Sequence, residues 1–192
     1  VVLGLALFIP AGTMNYWQAW MYLATFALCT VLITVYLAKY DQELLAGRVK
    51  ATAVAETQAS QKIIQSLAGL AFVAMYVVAG LDFRYGWSHV APVVSVIADG
   101  FVALGFGFVF LVFRENSYTR GTIEVSDTQK VVTTGPYSVV RHPMYSGASV
   151  LLLATPIALA SWVALPFAVL VIAVVVFRLV DEEKYLRSNL RG

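Results

Sequence analysis

The sequence predicts an all-α polytopic membrane protein with about five to six transmembrane helices, the last two forming a helical hairpin. Of its 192 residues, 60% are apolar and only 12% charged, about half the charged fraction of an ordinary soluble domain. The apolar residues fall in blocks almost free of charge, several of them near the roughly 20 residues that a helix needs to cross about 30 Å of hydrocarbon. The basic residues gather at one end of those blocks and the tryptophans at the other.

Taken in order, Val1 to Ile9 reads as the stub of a first span, ended by Pro10 and Gly12. Without a charged leading region or a small-residue cleavage site followed by a soluble domain, a removable signal peptide is the weaker reading of this segment. Trp17 to Ala38 and Ile63 to Leu81 carry no charge, and Ala91 to Phe113 carries only Asp99. The apolar run from Gly147 to Ala160 is short for a full crossing. With the following span, Trp162 to Phe177, it reads as a tight helical hairpin folded at Ser161. The whole chain, 1–192, is expected to be one integral membrane domain.

With Val1 on the cytoplasmic side, that face receives Lys39, Arg48, Lys50, Lys62, Arg114, Arg120, Lys130, Arg141, Arg178, Lys184, Arg187 and Arg191, and the other receives only Arg84. Such asymmetry in the loops sets membrane orientation. Trp17, Trp20, Trp87 and Trp162 all fall at the arginine-poor ends, where an indole sits at headgroup level. A formal net charge of +2 is too small for a nucleic-acid footprint. One cysteine, Cys29, forms no intrachain disulfide and no cysteine metal cage. His89 and His142 are expected on opposite faces, so no metal is expected. Gly105 and Gly107 begin a G-x-G inside a span, but Phe110 occupies the third glycine position, which rules out a dinucleotide fingerprint.

Chemistry-bearing residues concentrate between Thr134 and Gly147, against the start of the hairpin. Gly135-Pro136 signals a turn. Pro143 suits the first position of a helix and pushes His142 out of helical geometry. The N–H groups of that first turn then face the interface beside Arg141 and His142, a setting that favours an anion. Alone, each residue here also reads as an interfacial anchor. After the last span come Arg178, Asp181, Glu182 and Glu183. If the helix continues, Arg178 and Glu182 pair at i, i+4 and Glu183 points elsewhere. Within the spans, Asp99 either snorkels or pairs with a neighbour.

Gly135-Pro136-Tyr137, then Arg141-His142-Pro143-Met144-Tyr145 and Gly147, then Arg178 with Glu182-Glu183 and Leu186 resemble the G-P-Y-x-x-x-R-H-P-x-Y-x-G and R-x-x-x-E-E-x-x-L signatures of the isoprenylcysteine carboxyl methyltransferase family and the related phospholipid N-methyltransferases. Arg114-Glu115-Asn116-Ser117-Tyr118, Thr133-Thr134, and Pro10-Ala11-Gly12 leading into Trp17-Gln18-Ala19-Trp20 resemble bacterial members. The resemblance implies a bacterial plasma-membrane enzyme that uses S-adenosylmethionine in a cytosol-facing pocket built from about 114–192. It implies a cofactor site of Tyr137, His142, Tyr145 and Glu183, with Lys130, Val132 and Gly135 lining the approach, and catalytic roles for Arg141 and Glu182. Relatives continue with a G-Y-x-x-Y segment and a basic tail, whereas this sequence stops at Leu190-Arg191-Gly192, as in a trimmed protein or the core of a longer one.

The expected activity is methyl transfer to a lipophilic acceptor, either an isoprenylcysteine-like carboxylate or a lipid headgroup. Partners are then the membrane and a lipid or lipid-tailed substrate, with neither nucleic acid nor metal. Two alternatives stand beside it: a nicotinamide-dependent sterol-type membrane reductase and a non-catalytic membrane scaffold. Gly147, Ala148 and Ser149, with Gly100, Gly105 and Gly107, are expected to allow close helix contact on one side and to leave a gap on the other.

Overall fold

The computed structural model describes residues 1–50, 59–119 and 132–189. These hold seven α-helices and one 3₁₀ turn, and no strand among the described residues. The helices are α1 (Val2–Ala11), α2 (Trp17–Tyr40), α3 (Gln42–Lys50), α4 (Ala59–Tyr85), α5 (Pro92–Glu115), α6 (Pro143–Ala158) and α7 (Leu165–Asn189), with the 3₁₀ turn Gly135–Ser138 ahead of α6. By length and composition, α2, the Lys62–Tyr85 part of α4, and α5 can each cross a membrane. The apolar helices α1, α6 and Leu165–Phe177 are shorter. The span expected from Trp162 starts late because the residues after Ala158 are spent reversing the chain.

That reversal is built from backbone bonds. Ala160 takes a left-handed φ of 58°, and the Ser161 N–H donates to the Pro156 carbonyl at 2.8 Å. Proline at position 156 of α6 lacks an N–H of its own, but its carbonyl closes the turn. The fold at Ser161 expected from sequence is therefore present, and α6 and α7 run antiparallel from it.

Small residues set the helix contacts. A Cβ placed on Gly105 would lie 2.9 Å from Leu151 Cβ and 3.1 Å from the Gly147 carbonyl oxygen, and one on Gly147 would lie 2.9 Å from Phe108. The α5 and α6 backbones thus meet directly, as small residues permit in lipid. Likewise a Cβ on Gly80 would lie 2.5 Å from the Leu7 carbonyl oxygen, which is how the short α1 seats on the far half of α4. Gly100 and Gly107 face open space, so the one-sided contact expected from the glycines is realised through Gly105 and Gly147.

Several polar side chains inside the bundle find partners across helices. Thr25 donates to the Asp99 carboxylate at 2.6 Å, so Asp99, 7% exposed, pairs with a neighbour instead of snorkelling. The Tyr22 and Tyr76 hydroxyls share a hydrogen bond of 2.5 Å. At the tryptophan end, the buried Asp82 carboxylate accepts the Ser88 N–H at 2.7 Å and the hydroxyls of Ser88 and Ser161, each at 2.5 Å. Ser88 Oγ accepts the Trp162 N–H at 3.0 Å. One carboxylate therefore ties the end of α4, the loop before α5 and the α6–α7 turn. Beside it the Tyr16 hydroxyl donates to the Leu159 carbonyl, and burial, then the nearby Asp82 charge, hold that phenol well above its ordinary pKa.

Candidate active site

The opposite, basic end carries the motif residues. His142 caps α6 with φ −126° and ψ 65°, and Pro143 opens the helix. This is the boundary the sequence predicts, because a proline at the first helical position loses no hydrogen bond and forbids helical geometry to the residue before it. No side chain caps this helix start, and its first N–H groups point back towards Arg141 and His142. Arg141 is exposed, and His142 and Tyr145 are half-buried. Their rings meet edge to face with centroids 6.2 Å apart.

Upstream, Gly135 starts the 3₁₀ turn with a left-handed φ of 56°. The Tyr137 N–H bonds the Thr134 carbonyl at 3.1 Å, and the Val139 and Val140 N–H groups reach the Pro136 carbonyl. The turn is fastened to the end of α5. Asn116 Nδ2 donates to the Tyr137 hydroxyl at 2.9 Å, while Asn116 Oδ1 accepts the Tyr118 N–H at 2.9 Å. Thr134 Oγ1 donates to the Glu115 carboxylate, and a Cβ on Gly135 would lie 2.9 Å from the Glu115 carboxyl carbon. The Glu115 side chain thus packs on the Gly135 backbone where a side chain at 135 would otherwise stand.

The structure thus brings Val132, Gly135, Tyr137, Arg141, His142 and Tyr145 to one end of the bundle, on the segment that enters α6. Lys130 lies outside the described residues. The α7 helix does continue through Glu182 and Glu183, so Arg178 and Glu182 have helical i, i+4 spacing. Their side chains, and that of Glu183, lie outside the described part. His89 sits at the tryptophan end, after α4, and among the described residues no three histidine, cysteine or acidic side chains are grouped to hold a metal ion.

Glu115 and Asn116 hold the motif turn, a role that sequence reasoning did not give them. They had stood out only within the upstream resemblance. What ties them to the turn is packing between α5 and a segment many residues later, which no local periodicity reports.

A model of the phospholipid methyltransferase family matches residues 93–191. The chain belongs to this family. The match begins at the start of α5 and takes in the Gly-Pro-Tyr turn, α6 and α7, the elements that build the basic-end cluster. No curated protein and no solved structure matches the chain. It is accordingly a methyltransferase with an all-helical, membrane-spanning fold, as the sequence resemblance implied.

Proposed function

We propose that this methyltransferase carries a methyl group from S-adenosylmethionine to a lipid acceptor at the basic end of the bundle, facing the cytoplasm of a bacterial cell, and that about 114–192 form the cofactor part of a single domain. The observation that supports the reading best is the joining of the Gly-Pro-Tyr turn and the Arg141-His142-Pro143 helix start at one end, braced by Glu115 and Asn116.

The residues present fit that cofactor. Its carboxylate suits the start of α6 beside His142, where N–H groups converge. Its cationic groups suit the Tyr137 and Tyr145 rings and carboxylates, for which Glu115, packed on Gly135, and Glu182 and Glu183 of the α7 helix are the candidates. When bound, the cofactor provides an electrophilic methyl on a sulfonium. The chain's own work is to hold donor and acceptor in line and keep water out. Arg141 orients an anionic acceptor oxygen; for an amine acceptor, Glu182 or His142 takes the proton released.

Incubating the purified protein with methyl-labelled cofactor and a total membrane lipid extract tests the proposal. Label is expected in an organic-phase product, base-labile for an ester and base-stable for a methylated amine. Label confined to water-soluble acceptors overturns it. S-adenosylhomocysteine is expected to raise the melting temperature by binding the native state alone.

A further inference from the structure

A groove of about 290 Å³ runs along the seam between α4 and α7. Leu67, Leu70 and Ala74 line it from α4, with Ala71 between them; Phe167, Leu170 and Val174 line it from α7. Both sets follow helical spacing, so the groove lies parallel to the helix axes. No polar side chain enters it. Leu67, Leu70 and Leu170 are 52%, 69% and 51% exposed and form its lips towards the lipid, while the small Ala71 and Ala74 hollow its α4 wall.

Its depth relative to the active-site motif follows from the packing register. Ala71 of α4, Leu152 of α6 and Val171 of α7 form one buried cluster, so these three positions share a level. On α4 the basic-end lip, Leu67, lies one turn from that level, about 6 Å at 1.5 Å per residue. On α6, Tyr145 and His142 lie about 10 and 15 Å from the same level in the same direction. The motif therefore stands about 4 to 9 Å beyond the groove mouth. From the depth of Tyr145 to the far end of the groove at Ala74 is about 15 Å, one leaflet of a hydrocarbon core about 30 Å thick.

We propose that this groove holds one hydrocarbon chain of the methyl acceptor, a lipid of the leaflet at the basic end, and so sets its headgroup at the level of His142 and Tyr145. This rests on the reading of the chain as a lipid methyltransferase. A purely apolar groove selects a tail and not a headgroup; it runs about 10 Å from Leu67 to Ala74, and with the stretch up to Tyr145 it matches the depth of a lipid anchored at that interface. The α5–α6 side offers no equivalent, because Gly105 and Gly147 close it backbone to backbone.

The test uses the full chain in phosphatidylcholine vesicles containing a phosphatidylethanolamine with a photoactivatable diazirine in its acyl chain. Adducts are expected on the 67–74 and 167–174 stretches and are expected to fall sharply in Ala74→Phe and Leu70→Trp, two fillings made from the α4 wall, one at the far end of the groove and one at its lip. Displacing two methylenes suffices for about a tenfold loss, so the apparent KM for this lipid is expected to rise at least that much. The melting shift given by S-adenosylhomocysteine is expected to stay. Adducts spread evenly around the bundle, adducts indifferent to both fillings, or cross-links to a second copy of the chain each overturn the proposal. Filling-sensitive adducts with no methyl label on any vesicle lipid leave the groove a lipid site and overturn its assignment to an acceptor, because the lipid-methyltransferase reading itself has failed.

Discussion

Asn116, at the end of α5, donates its side-chain amide to the hydroxyl of Tyr137 at 2.9 Å, so the helix that packs most closely on α6 also holds the turn that leads into α6. Tyr137→Phe takes away this hydrogen bond, worth about 0.5–1.5 kcal/mol, and Asn116→Ala takes away with it the bond from the Tyr118 N–H; neither touches the first turn of α6. Asn116→Ala and Tyr137→Phe are each expected to weaken binding of S-adenosylhomocysteine several-fold. In a calorimetric double-mutant cycle the pair is expected to lose less than the sum of the single losses. Full additivity contradicts the brace.

Gly135 is restricted twice, by its φ of 56° and by the Glu115 carboxyl group 2.9 Å from where a Cβ would stand. Gly135→Ala meets both restrictions, and the backbone part alone is worth about 1–2 kcal/mol. Cofactor affinity is expected to fall about tenfold in Gly135→Ala. Adding Glu115→Ala removes the crowding but not the φ penalty, so partial recovery of the melting temperature is expected, while cofactor affinity stays low because the carboxylate and its bond from Thr134 are lost; thermal melts without ligand read the two contributions apart.

The local signals were legible in the sequence and the long-range ones were not. His142-Pro143 announced the start of α6 because proline chemistry acts on its immediate neighbour, and Ser161 announced the hairpin because an apolar run is interrupted there. The tryptophans marked one end of the bundle correctly, and the four indoles remain about half exposed at its edge. Asp82, by contrast, reads in the sequence as an ordinary charge at the end of a span. Its partner Ser161 is 79 positions away, and nothing in the spacing of either residue indicates that they meet. Glu115 and Thr134 are hidden for the same reason.

Asp82 ties the tryptophan end together, away from the motif end. The carboxylate takes three hydrogen bonds in a site where it is 1% exposed. Asp82→Asn keeps the shape but replaces one acceptor with a donor that faces donors. Hydrogen bonds to a charged group are worth about 1.5–3 kcal/mol each, so a clear drop in melting temperature is expected in detergent. The affinity for S-adenosylhomocysteine, whose proposed site is at the other end, is expected to hold. A fall in affinity with no fall in melting temperature contradicts this division.

The glycines of α5 give the most discriminating test of the bundle itself, since Gly105 and Gly107 lie two residues apart on one helix and face different surroundings. A Cβ at 105 meets Leu151 Cβ at 2.9 Å and the Leu151 nitrogen at 3.0 Å, whereas one at 107 meets nothing within 4 Å. Backbone, and a Cβ bonded directly to it, cannot swing aside as a side-chain tip can, so α6 must move as a unit. Gly105→Ala is expected to cost about 1–3 kcal/mol, as overpacking does. Gly107→Ala relieves a flexible residue in mid-helix and is expected to be neutral or to add up to about 1 kcal/mol. Because α6 carries His142 and Tyr145 at its start, the shift forced by Gly105→Ala is also expected to weaken S-adenosylhomocysteine binding, while Gly107→Ala leaves it intact. Thermal melts with and without that ligand measure both effects in one series, and equal behaviour of the two variants contradicts the close α5–α6 contact.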